Sequence, residues 1–170
     1  MRLYLVRHGE AGDSTTWQGD DALRPMTEEG FKEIKKVGKV LAAMGTGPEV
    51  IITSPLVRAR QTADTLAKKL SVPVEEDERL APGCDLGKLA GVLAKYGSAR
   101  AVMVTGHNPD FAEMVGDLIS VSQAPAQVAM KKGACVCVDI SVPHRSHGTL
   151  AGHGVLEWLL TPGMARALSH

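Results

Sequence analysis

The sequence predicts a three-layer α/β/α fold with a mostly parallel central sheet, helices on both faces and an antiparallel C-terminal extension. Three observations predict it. A strand, turn and helix unit recurs three times before Gln127. The strands of those units are nearly unbroken apolar runs, as in sheets covered on both faces. After Gln127 the pattern offers strands alone. With 170 residues, 44% of them hydrophobic, the chain is long enough to bury a core as one domain, residues 1–170, without disulfide staples.

Residues 3–6 are a short apolar run ending in polar residues, the pattern of a buried strand opening onto a loop. The connection over 9–25 is long and polar. Thr27 then caps a helix whose first turn carries Glu28 and Glu29, and Phe31, Ile34, Val37, Leu41 and Met44 recur at helical spacing until Gly45 stops it. Residues 50–53 read as a second strand. Ser54-Pro55 supplies a capping hydroxyl and a first-turn proline for a helix running towards Leu70. A short strand over 72–75, the acidic Glu76-Asp77-Glu78 and the turn-rich Pro82-Gly83 lead to a helix over about 86–96. Residues 101–105 are again continuous and β-prone. Gly106-His107-Asn108-Pro109 turns them into a helix carrying Phe111, Met114, Val115, Leu118 and Ile119. Strands over 134–141 and 155–160, joined by a Pro/His/Ser/Gly-rich connection, complete the antiparallel addition.

Nineteen basic residues balance nineteen acidic ones, so the broad positive field that draws a protein onto nucleic acid or anionic lipid is missing. Neither partner is expected, and any anion site must be local. Cys84, Cys135 and Cys137 are odd in number and form no Cys-x-x-Cys pair, which points to a reducing compartment. No stretch has the composition of a secretory leader or the length of a membrane span, so a cytoplasmic location is expected. His144, His147 and His153 crowd one connection without the carboxylate or thiol that would complete a metal-ligand spacing, and read as a solvated loop. Cys135 and Cys137, two apart on a strand, share a sheet face and fill core space, while Lys131-Lys132 reads as solvated surface.

In a parallel sheet, ligands sit beyond the carboxyl ends of the strands. Three strand ends carry Arg7-His8-Gly9, Ser54-Pro55-Leu56-Val57-Arg58 and Gly106-His107-Asn108-Pro109, which brings two arginines and two histidines to one edge. Alone, each segment has an ordinary reading: a polar strand end, a capped helix, a turn histidine. Together they form a cationic cluster that needs an anion, and the arginine fork matches phosphate oxygens. Gly9 lets the backbone approach a ligand closely, and Arg58 lies in a first helical turn whose dipole adds to the field. Asp21, three residues before Arg24, either orients that arginine or faces the site.

These segments resemble the histidine phosphatase superfamily, through Arg7-His8-Gly9, through Arg58 in Ser-Pro-Leu-Val-Arg-Ala-Arg-Gln-Thr-Ala, and through His107 in Gly-His-Asn-Pro. Within it the chain is most similar to the short SixA-type phosphohistidine phosphatases, through Arg24-Pro25-Met26-Thr27 followed by Gly30, Leu80-Ala81-Pro82, and a closing strand over 158–162. The resemblance implies a phosphoglycerate-mutase-like fold and a phosphatase working without metal or other cofactor. His8 would be the nucleophile, and Arg7, Gly9, Arg58 and His107 would hold the phosphoryl group. Its substrate would be phosphohistidine on a protein, such as a histidine phosphotransfer domain. Rival readings are a phosphatase of small phosphate esters and a non-enzymatic phosphate-recognition module. The glutamate that many superfamily members carry after the region of Leu80 is absent here, which leaves Asp21, Glu78 and Asp85 as candidate proton donors and disfavours a mutase. Oligomeric state is left open.

Overall fold

The first strand, β1 (Arg2–Arg7), fixes the frame. Leu3 and Leu5 point into one apolar cluster and Tyr4 and Val6 into another, so every side chain from 3 to 6 is buried. That is why the run does not alternate with polar residues. In the computed structural model, which describes residues 1–121, 124–141 and 150–169, β1 is followed by α1 (Glu28–Ala43), β2 (Ile51–Thr53), α2 (Val57–Leu70) and β3 (Val74–Glu76). Then come α3 (Leu86–Leu93), β4 (Ala101–Gly106), α4 (Asp110–Ile119), β5 (Cys135–Ile140), β6 (Gly154–Leu160) and α5 (Pro162–Leu168). The sheet order is β3-β2-β4-β1-β5-β6, with β3, β2, β4 and β1 parallel and β5 and β6 antiparallel. The predicted layering therefore holds. Helices α1, α2 and α5 contribute to the cluster holding Tyr4 and Val6, and α3 and α4 to the one holding Leu3 and Leu5.

Several local expectations change. The helix expected over 86–96 is α3 plus a short 3-10 turn, Ala94–Tyr96. Ser54 does not cap α2: its Oγ accepts from the Leu56 N–H at 3.3 Å and shares a hydrogen bond with His107, and the helix begins at Val57 behind Leu56, with no side-chain cap. The closing strand ends at Leu160. Thr161 caps α5 by accepting from the Met164 N–H at 3.3 Å, and Pro162 occupies its first turn. This helix was not anticipated. Cys135 and Cys137 do share one fully buried face. His144 and His147 lie outside the described residues.

Thr27 caps α1 as expected, its Oγ1 accepting from the Gly30 N–H at 3.0 Å. Gly30 has a second duty. A Cβ there would stand 2.3 Å from the Glu10 carbonyl oxygen, which accepts from the Thr27 N–H at 2.8 Å. The missing side chain lets α1 lie against the loop that follows His8. Gly30→Ala is expected to cost about 1–3 kcal/mol, the usual range for overpacking a fitted contact, measured as a lowered denaturation midpoint with an unchanged m-value.

Candidate active site

Parallel pairing aligns the strand ends. Arg7 is opposite Gly106 and Thr53 opposite Thr105, so the residues that follow β1, β2 and β4 leave the sheet side by side. The His8 N–H donates to the Gly106 carbonyl at 2.9 Å and the Ser54 N–H to the Thr105 carbonyl at 3.0 Å. Beneath them, the Thr105 hydroxyl donates to Thr53 Oγ1 at 2.6 Å, tying β2 to β4 under the site. The result is a cleft of about 270 Å³ walled by Arg7, His8, Arg24, Arg58, His107, Asn108 and Lys132.

His8 is 7% exposed. Its Nδ1 lies 2.7 Å from the Gly9 carbonyl oxygen, which can only accept, so Nδ1 carries the hydrogen and Nε2 keeps its lone pair. Burial pushes the imidazole down to about 4, with Arg58 and Arg7 adding to the effect and the Gly9 bond opposing it. Burial likewise takes His107 down to about 3, helped by His8 and Arg58. The two rings lie 5.3 Å apart between centroids. His107 Nε2 shares a hydrogen bond of 2.8 Å with Ser54 Oγ, whichever of the two donates, and its Nδ1 is buried without a partner.

The arginines are anchored through part of their forks. Arg7 Nη1 donates to the Met130 carbonyl at 2.9 Å, and Arg58 donates to Asp21 twice, Nη1 to the backbone oxygen at 2.7 Å and Nη2 to Oδ2 at 2.9 Å. Arg24 donates to Asp21 Oδ1 at 2.8 Å and to the carbonyls of Ala11 and Gly12. The Nε of Arg7 and of Arg58 is buried and unpartnered. Buried donors without acceptors are costly. Those two guanidinium nitrogens lack the acceptors that an oxyanion would supply.

Gly9 acts differently from the expectation of ligand approach. A Cβ on it would meet Met26 Sδ at 2.6 Å and Ile34 Cγ1 at 2.9 Å, so the glycine is required by the packing of α1 against the end of β1. Its N–H donates to Thr62 Oγ1 at 3.0 Å and its carbonyl holds His8.

Arg7, His8, Arg58 and His107 are thus brought together, and Glu78 and Asp85 are not. Glu78 sits exposed in a 3-10 turn, Glu78–Leu80, away from the cleft wall. Asp85 caps α3, accepting from the Lys88 N–H at 2.8 Å. Asp21 reaches the site only through Arg58 and Arg24. The hydrogen bond from Arg24, followed by the charge of Arg58, holds its carboxyl below the usual carboxylate range. It orients the arginines as an ionised group.

Two contributors were missed. Ser54, read as a cap, supports His107. Lys132, read as solvated surface, lines the cleft. An antiparallel neighbour of β1 must start where β1 ends, and Cys135 indeed pairs with Val6, so the residues before β5 were placed at the site by the predicted topology itself.

The two histidines carry a test. An ordinary imidazole takes up its proton near pH 6.5, so the unfolded chain binds protons there while folded His8 and His107 do not until about pH 4 and about 3. Their contribution to stability is complete above pH 6.5 and is lost as pH falls below it, towards about 4 for His8 and about 3 for His107. The expected observation is that the imidazole carbon resonances of both residues stay at their neutral positions from pH 8 to 5. A midpoint near 6.5 for either would refute the neutral arrangement.

Fold and site together define an α/β protein with a cationic cleft built around a buried, uncharged histidine. The chain belongs to the histidine phosphatase superfamily (branch 1), whose family model matches residues 3–104. Its relatives include an uncharacterized protein of Picosynechococcus sp., 34% identical over 139 residues, 80% of this chain and 83% of that one. The phosphohistidine phosphatase SixA of Escherichia coli is 25% identical over 175 residues, covering 99% and 100% of the two chains. In structure, the protein histidine phosphatase SixA complexed with tungstate superposes with a TM-score of 0.80 over 96% of this chain and 98% of that one, at 23% identity. The chain is SixA-like in sequence and fold. No helix among the described residues is long and apolar enough to cross a membrane.

Proposed function

We propose that the chain is a single catalytic domain that hydrolyses phosphohistidine on a protein, with His8 as nucleophile and no metal. The observation that carries this reading is the state of His8: a buried imidazole whose Nδ1 hydrogen is tied to the Gly9 carbonyl, with Nε2 bare in a cleft of cations. Nε2 attacks phosphorus, the P–N bond to the substrate imidazole breaks, and that imidazole departs neutral, having taken a proton from solvent on its far nitrogen. Water then cleaves the phosphohistidine on His8 and releases inorganic phosphate. Arg7, Arg58 and His107 hold the non-bridging oxygens and offset the charge on them, the part that a divalent ion takes in many phosphoryl-transfer sites.

The leaving group favours a phosphoamide. Among the described residues no carboxyl side chain lines the cleft, and Asp21 is committed to two arginines as an anion. An alkoxide leaves poorly without a proton donor, whereas an imidazole titrates near neutrality and supplies its own exit. The similarity to the phosphohistidine phosphatase of Escherichia coli supports the same substrate class.

The test is release of phosphate from a phosphohistidine-bearing phosphotransfer domain, with EDTA present, beside p-nitrophenyl phosphate and a simple alkyl phosphate. The expected ranking is phosphohistidine first and the alkyl phosphate last by orders of magnitude. Loss of turnover on adding EDTA would overturn metal independence. Equal rates on the alkyl ester would favour the small-ester reading, and binding of the phosphoprotein with no turnover the recognition module.

A further inference from the structure

Lys132 lines the cleft, Glu10 is joined to it just outside the wall, and neither has a part in the chemistry just described. The backbone fixes Lys132 there: the Gly133 N–H donates to the carbonyls of both Arg7 and His8, at 3.1 and 3.0 Å, so the residue before it is held against the reacting histidine's own backbone. Its Nζ donates to both oxygens of Glu10, each at 2.9 Å, and Glu10 Oε1 also accepts from the Gly12 N–H at 2.9 Å. Both side chains are 37% exposed. The pair is a half-solvated rim element, accessible to a guest.

Charge gives it a role. Arg7, Arg24, Arg58 and Lys132 face the carboxylates of Asp21 and Glu10, and both imidazoles are uncharged at neutral pH. Over those two carboxylates the excess is two positive charges, and exposed Asp13, whose charge Arg24 and Lys132 also feel, reduces it further, so a single phosphoryl group suffices to neutralise it. A second anionic group on the guest would have to take Lys132 away from Glu10 and then lie beside an unpaired carboxylate. Selectivity built from a repulsive element of this kind is a common device.

We propose that Glu10 and Lys132 form a specificity gate: Glu10 occupies Lys132 and thereby restricts the cleft to guests carrying a single phosphoryl group with no second anion beside it. The proposal rests on the reading of the cleft as a phosphoryl site and adds the class of guest it rejects. It predicts a substrate whose phosphoryl group is carried by a neutral neighbourhood, as on an imidazole ring, and it names Glu10 as the residue whose loss would broaden the choice.

The experiment compares binding of inorganic phosphate and pyrophosphate by calorimetry at pH 8 and low ionic strength, where surface charges act most strongly. Wild type is expected to bind phosphate in preference to pyrophosphate. Glu10→Gln keeps the shape of the side chain and frees Lys132, and should raise the pyrophosphate-to-phosphate ratio of association constants about tenfold, the order of one charge–charge interaction at a partly solvated site. Lys132→Gln leaves Glu10 unscreened and should push the ratio below the wild-type value, and the double variant should return towards it. A ratio unchanged within twofold in Glu10→Gln, with phosphate still bound, overturns the gate and leaves the phosphoryl site standing. Failure of all forms to bind phosphate overturns the phosphoryl reading and the gate with it.

Discussion

His8→Ala is expected to lower turnover of a phosphohistidine protein by about 10⁴- to 10⁶-fold, the range seen when the nucleophile of a covalent mechanism is removed. The residue is placed for one task. Its Nδ1 hydrogen is spent on the Gly9 carbonyl at 2.7 Å, and burial among arginines keeps Nε2 unprotonated. Alanine removes that nitrogen without touching Arg7, Arg58 or His107, which keep their bonds to Met130, Asp21 and Ser54. Binding of inorganic phosphate should therefore persist in the variant while turnover vanishes. A second readout follows the intermediate itself: rapid acid-free quenching of wild type should trap one alkali-stable, acid-labile phosphoryl group on His8, and the variant none. Residual turnover above about 1% of wild type, or label that survives in the variant, would mean that another atom attacks phosphorus.

The strand-end residues were legible because a parallel sheet repeats one geometry. Whatever follows β1, β2 and β4 emerges on the same edge, so Arg7-His8, Arg58 and His107 could be brought together from strand positions alone. The chemistry of each side chain was harder to read, because it depends on partners remote in sequence. Ser54 is a cap by local pattern, yet its hydroxyl goes to His107, 53 residues on. Glu10 and Lys132 are 122 residues apart and become a pair only because β5 runs antiparallel to β1 and begins at its end. Gly9 and Gly30 were legible as special positions, but the reason is crowding by Met26, Ile34 and the Glu10 carbonyl, which no local pattern encodes. The last helix was a missed signal: Thr161 before Pro162 is a cap followed by a first-turn proline, the same grammar that was used at Ser54, where it failed.

Arg58→Ala is expected to lower kcat by about 10³- to 10⁵-fold, the value of an arginine that stabilises charge on a transferring phosphoryl group. The side chain is only 6% exposed, lies in the first turn of α2 with the positive end of the helix behind it, and holds its Nε buried without an acceptor. Its remaining nitrogens are fixed by the backbone oxygen and the carboxylate of Asp21, so the fork is oriented before any guest arrives. Pre-orientation of this kind acts on the transition state, and the loss should fall on kcat with a smaller change in KM. Asp21→Asn separates positioning from charge. It keeps the backbone contact to Arg58 and one of the two side-chain acceptor oxygens, but removes the anion that Arg24 and Arg58 share and leaves one of those arginines without its side-chain partner, and a loss of about tenfold is expected. If Asp21 instead protonated the leaving group, Asp21→Asn would slow an alkyl phosphate far more than phosphohistidine and would remove a basic limb from the pH profile. Equal proportional losses on both substrates, with the pH profile unmoved, identify Asp21 as the group that aims Arg58, and leave Arg58 as the cation that meets the developing charge.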